Sequence, residues 1–243
     1  MTTIPFYERT AYKLLENPVP SCFVRLSEKF SQHTDEAYTS ALHTLLLLSE
    51  SICARMADVE MYIGQVEEAR QRYHIDMAVI HEDDMHKAAI LTRTYTIGLL
   101  GACKALLDSS ALTLAELYRL PISNAECLFE NPDFWQQLTT HAPNVYRRYH
   151  TLRFFFNEII SWQSAIPHRL PPLVVLQDRL GPWSSREMQI KLADDPRADL
   201  VEMATEPLKF EWVDALELYS RWKPQLLTLC ERLCQDIEQQ FQV

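Results

Sequence analysis

Apolar residues recur every three or four positions along much of this chain, the spacing that gathers them on one face of an α-helix. Leu42, Leu45, Leu46, Ile52, Cys53, Met56, Val59 and Ile63, with Ser49 among them, form the first long stripe, and Thr34 ahead of Asp35 suits a helix N-cap. A second stretch, from Ala88 through ILTRTYTIGLLGACKALLDSSALTLAELYRLPI, is apolar nearly all round, which predicts a tightly packed central helix ended by Pro121. Within it Lys104 and Asp108, four apart, form a candidate ion pair, and Gly98 and Gly101 are expected where a neighbouring helix comes close. Asn131, Pro132 and Asp133 open a short helix over DFWQQLTTH, and Pro143 starts another. That helix carries Val145, Tyr149, Leu152, Phe156, Ile159 and Gln163 on one stripe. Pro167 disfavours helical geometry at Ile166, so an end near Ala165 is expected, with His168 and Arg169 in the following turn. The last stripe, Leu226, Leu229, Cys230, Leu233, Ile237 and Phe241, belongs to a helical region from near Lys209 to Phe241, with Pro224 as a kink or boundary.

Between these stripes the pattern is looser. Residues 1–33 read as an N-terminal extension with a short helix, Phe6 to Glu16, broken by Pro18 and Pro20. After Leu170 the sequence is loop-like through GPWSS, and Ser184 is placed to cap a short helix. There is no repeat and no linker long enough to separate domains, so the expectation is one all-α domain: a single-domain helical bundle over 1–243, with its core in 34–170. Long antiparallel helices would form that core, and 171–243 would supply a loop and C-terminal helices packed alongside.

Composition agrees with helices, since there are only 4 glycines and 47% of the residues are hydrophobic, ample for a core. The formal charge of −10 removes any general attraction for nucleic acid, so a phosphate-binding site would have to be a local patch. Cys22, Cys53, Cys103, Cys127, Cys230 and Cys234 are scattered with no CxxC, which fits reduced, buried thiols. The N-terminus lacks the basic start and apolar core of a secretory signal, and a cytoplasmic location is expected. Lys104, Asp108 and Glu116 interrupt the most apolar window, Thr94 to Tyr118, which points to a core helix rather than a membrane span.

Two polar regions offer chemistry. His74, His81 and His86 fall among Glu82, Asp83 and Asp84, and carboxylate–histidine pairs on one helical face can hold a metal. No second segment repeats the Glu-x-x-His spacing, so a solvated polar face between two helices is the simpler reading, no metal or other cofactor is assigned, and metal binding stays an alternative. Arg147, Arg148, His150 and Arg153 form a basic cluster with Tyr146 and Tyr149 interleaved. Such a set would bind RNA through phosphate contacts and stacking, or would lie on the surface beside core tyrosines.

The succession LLGACKALLDSSALTLAELYRL, then FWQQL, an aromatic helix and SWQSAIPHRLPP resembles uncharacterised bacterial proteins with the helical HEPN fold. In these an Ala-Lys-x-Leu-Leu-Asp helix precedes a helix ending in an Arg-Asn-x-x-x-His-Arg-like segment. The resemblance is close over Leu99 to Val174 and elsewhere extends only to the helical pattern. It implies a homodimer, since active members are metal-independent ribonucleases, often toxins or defence effectors, that pair two copies of an Arg-x(4 to 6)-His motif. Histidine moves a proton near neutral pH and arginine stabilises charge on the phosphate. Carried over by position, His168 matches the histidine, Gln163 stands where the arginine belongs and Ser164 where a polar residue belongs. None of the eight histidines has an arginine at the required spacing before it, so the motif is degenerate throughout.

The resemblance therefore implies a binding or regulatory module, with a protein, RNA or nucleotide partner and no membrane. The alternative is a ribonuclease in which His168 works with an arginine from elsewhere, Arg169 or Arg153 among them. The structural alternative for His168 and Arg169 is that cations past a helix C-terminus interact with its free carbonyls.

Overall fold

Long runs with an apolar face become long helices. The computed structural model describes residues 25, 28, 36–72, 75, 76, 82–168, 173–179, 185–193 and 212–241. Six helices of a bundle dominate these residues: α1 (Glu36–Arg72), α2 (Glu82–Leu117), α3 (Pro132–His141), α4 (Pro143–His150), α5 (Arg153–His168) and α6 (Ala215–Phe241). The all-α reading of the sequence describes the architecture. Thr34 and the N-terminal short helix lie outside the described residues.

The chain forms two compact units. The first comprises 1–58, 102–158 and 223–243, and the second 59–101 and 159–222. In the first, Leu45, Ile52, Cys53 and Met56 of α1, Cys103, Leu106, Leu107, Ala111 and Leu114 of α2, and Leu226, Leu229, Cys230, Leu233 and Ile237 of α6 are all buried, as their spacing predicts. In the second, the core takes Val59, Ile63 and Val66 from α1, Leu99 and Leu100 from α2, Ile159 and Trp162 from α5, and Leu218 and Trp222 from α6. Burying side chains of this size contributes about 1.5–3 kcal/mol each.

Within the first unit the Ser51 and Ser109 hydroxyls lie 3.3 Å apart, and within the second Tyr62, further along α1, meets Gly98, further back in α2. A Cβ at Gly98 would overlap the Tyr62 ring, so this glycine serves close approach, as expected; Gly101 is exposed with open space beside it and does not. Buried hydroxyls in α2 are satisfied locally: Thr96 donates to the Thr92 carbonyl (2.9 Å) and Ser110 to that of Leu106 (2.7 Å). The stretch Ile90–Leu117 is long and apolar enough to cross a membrane by length and composition, with 56% of its most apolar window buried inside the protein.

Helix α2 closes in a Schellman turn. The amide of Leu120 donates to the Ala115 carbonyl and that of Arg119 to Glu116, with Arg119 in the left-handed region at φ 49°. Asn131 then caps α3 by accepting from the Asp133 amide at 3.0 Å.

Four local expectations are corrected. The single helix expected after Pro143 is two, α4 and α5, separated by a turn at Thr151 and Leu152 in which the Leu152 amide donates to the Tyr149 carbonyl. Helix α5 continues past Ala165 to His168, so His168 ends the helix rather than following it. The bias that proline places on its predecessor is a preference, and in a last turn the lost amide bond is a single one. Where it is described, the stretch read as loop and capped helix is strand, β2 (Leu173–Arg179) pairing antiparallel with β3 (Ser185–Ala193), Leu173 opposite Lys191 and Arg179 opposite Ser185; Ser184 lies outside the described residues. Finally, the last helix begins at Ala215, after Trp212–Asp214, which is a strand, β4; Lys209 lies outside the described residues.

The other edge of β3 pairs with β1 (Ile75–Asp76) and β4, completing a small antiparallel sheet in the second unit. Pro224 lies inside α6 without ending it.

Candidate functional site

The first unit holds a polar network around one buried carboxylate. On α6, Asp236 falls seven residues after Leu229 and three after Leu233, so it shares their inward face and has no solvent exposure. A lone carboxylate there would be costly, and α4 supplies its partners. Arg148 pairs with one Asp236 oxygen, and the Tyr149 hydroxyl donates to the other at 2.8 Å. Arg232, one turn back on α6, donates to the Arg148 carbonyl and to Thr151 Oγ1 (2.9 Å), covering the open end of α4.

The electrostatics follow from this packing. Burial, then the Asp236 charge, hold the Tyr149 hydroxyl well above its ordinary range, and the same two causes raise Tyr118 at the end of α2. Burial acts to lower the Arg148 guanidinium, yet the adjacent carboxylate outweighs it and the net shift is upward. Near neutrality the two phenols therefore keep their protons and the Arg148 guanidinium keeps its charge. That suits a structural clamp better than a proton-transfer site.

Beside the clamp, Trp135 of α3 is buried and donates its indole N–H to the Phe129 carbonyl at 2.7 Å. Arg153 at the start of α5 lies over the Trp135 ring, 5.7 Å from its centroid. His150 meets the same Trp135 ring edge-on at 6.2 Å, and the His150 and Tyr146 rings lie 5.0 Å apart. The basic cluster read from the sequence therefore divides. Arg148 is committed to Asp236, whereas Arg147, His150 and Arg153 are exposed. Asp236 is the member sequence reading missed; its signal was an acid at an inward position of an apolar stripe.

Lys104 bonds Asp108 at 2.6 Å, as its spacing predicts, and also Glu130 at 3.2 Å. Burial nevertheless raises the Asp108 pKa, more than Lys104 lowers it. An open depression of about 430 Å³ is lined by Pro121, Ile122, Ser123, Glu126, Asp133 and Gln137. Its two carboxylates make it a poor place for a phosphate, and Glu126 is engaged by the Ser123 hydroxyl at 2.5 Å.

In the second unit, Gln163 is half-buried and Ser164 exposed on α5, five and four residues before His168. The His168 side chain and the whole of Arg169 lie outside the described residues. So do His74, His81 and the side chain of His86; among the described residues no three His, Cys, Asp or Glu side chains converge on a metal-sized site. No protein-family model, no curated protein and no solved structure matches this chain.

Proposed function

We propose that this chain is a HEPN-like binding or regulatory module, of the kind found among toxins and defence proteins, that works as a homodimer without nuclease chemistry. The observation that carries this reading is Gln163, a neutral side chain at the position where the resemblance calls for a charged one. An amide can donate a hydrogen bond to a phosphate oxygen, but it cannot supply the charge that stabilises a phosphorane-like transition state. A supporting point is that Arg148, the most embedded arginine of the basic cluster, is already neutralised by Asp236.

The test is incubation of purified protein with single-stranded and structured RNA in the presence of chelator, comparing wild type with His168→Ala. Equal absence of cleavage is expected. Cleavage lost in His168→Ala would instead establish a metal-independent ribonuclease that recruits an arginine from elsewhere. Light scattering checks the assembly, with a dimer expected and a strict monomer removing that part of the proposal.

A further inference from the structure

The basic cluster retains exposed groups after Asp236 has taken Arg148, and they fit one class of ligand. From Phe134 to Asn157 the chain has no acidic residue, although it carries 33 in all; the same stretch holds three arginines and two histidines. Asp133 and the half-buried Glu158 bound it. In a chain with net charge −10 this stretch is therefore locally basic.

Within that stretch Phe154 is 84% exposed, the most exposed of the large apolar side chains described. Its sequence neighbours Arg147, His150, Thr151, Arg153 and Asn157 are all exposed and polar or charged. A protein-binding hot spot surrounds its aromatic anchor with further apolar area that excludes water, and none of these neighbours supplies it. A bare ring flanked by cations is instead what a stacked base with phosphates on either side requires. Arg153 is partly preorganised for this role, because the Trp135 ring beneath restricts its guanidinium while leaving it accessible.

We propose that Arg147, His150, Arg153 and Phe154 form a binding surface for single-stranded nucleic acid, with Phe154 stacking on a base and the arginines holding the backbone. This rests on the binding-module reading and names the ligand that the module takes. A duplex, whose bases are already stacked, would gain little from Phe154.

Fluorescence anisotropy with labelled short oligouridine, oligothymidine and a duplex, in chelator, tests the surface. Both single strands are expected to bind more tightly than the duplex; binding of oligouridine alone would assign the surface to RNA. Phe154→Ala should weaken binding by at least about five-fold. Arg147→Ala and Arg153→Gln should each flatten the dependence of log affinity on log salt by about 0.7. Circular dichroism establishes that each variant is folded. Arg55→Ala, which removes an exposed cation paired with Asp58 on α1, should change nothing.

Absence of single-strand binding would overturn the proposal, as would a duplex bound equally well or an equal loss in Arg55→Ala. Competition by polyglutamate together with no effect of Phe154→Ala would do the same, and would assign the face to an acidic protein. Oligothymidine lacks the 2′-hydroxyl that metal-free cleavage uses, so its binding reports on this surface even if the chain proves to cleave RNA. Conversely, a failure to bind leaves the cleavage and dimer tests to decide the module reading.

Discussion

Asp236 shows how a single residue divides a cluster that looks uniform in sequence. Four basic side chains within seven positions gave no ground for separating one from the others, because the group that separates them is 88 residues away. Truncating Arg148 to Ala would leave a fully buried carboxylate without its cation, and a loss of about 3 kcal/mol or more is expected. Tyr149→Phe removes one hydrogen bond to a charged acceptor and should cost about 1.5–3 kcal/mol. Urea titrations of both variants and of Arg147→Ala, which should stay within about 0.5 kcal/mol of wild type, check the division. The candidate site was legible as a set of charges and rings; their allocation between clamp and surface needed the partner helix.

At the scale of elements, periodicity served well wherever one face is buried over several turns. The stripes of α1 and α6 are buried residue for residue wherever their side chains are described, whereas α2, apolar nearly all round, leaves Ile90, Leu91 and Ile97 exposed. It served poorly over Ser185–Ala193, where Met188, Ile190 and Leu192 alternate with Glu187, Gln189 and Lys191. That is a strand period, and the alternating charges hid it; with Val174 and Val175 before Gly181 and Pro182, the strand pair was present in the residues. The two glycines of α2 show the same limit from another side, since propensity is identical for both and only the neighbour differs. Gly101→Ala should stabilise the protein by about 1 kcal/mol, because an alanine costs less helix entropy and meets nothing. Gly98→Ala should lower stability despite the same propensity gain, because its Cβ displaces the Tyr62 ring. Thermal melts of the pair would decide the matter; equal shifts would mean that the close approach carries no weight.

For the molecule as a whole, buried titrating groups set an alkaline limit. Burial pushes the Cys230 thiol up from 9.0 to about 12, and Tyr149 and Tyr118 are raised as well. For each, the folded state holds its proton more tightly than the unfolded state. The contribution to stability is complete below the unfolded pKa and disappears as pH rises through the folded one. Stability should therefore decline from about pH 9, with Cys230 alone accounting for about 2 kcal/mol by pH 10.5. Denaturant midpoints across this range test it, and Cys230→Ala should lower the midpoint at pH 8 while making the alkaline decline shallower. The charge balance that set general nucleic-acid affinity aside is compatible with a locally basic stretch because like residues are segregated along the chain.

The first unit is assembled from three separate stretches, and its last, 223–243, contains Asp236. During synthesis Arg148 and Tyr149 emerge long before the carboxylate they need, and the stripe of α6 that completes the core emerges together with that carboxylate. Contacts so distant in sequence make for slow closure, because loop entropy is lost before the contacts can compensate for it. Until then the half-built unit exposes an apolar groove and an unneutralised arginine, the state in which a nascent chain is most dependent on protection from its surroundings.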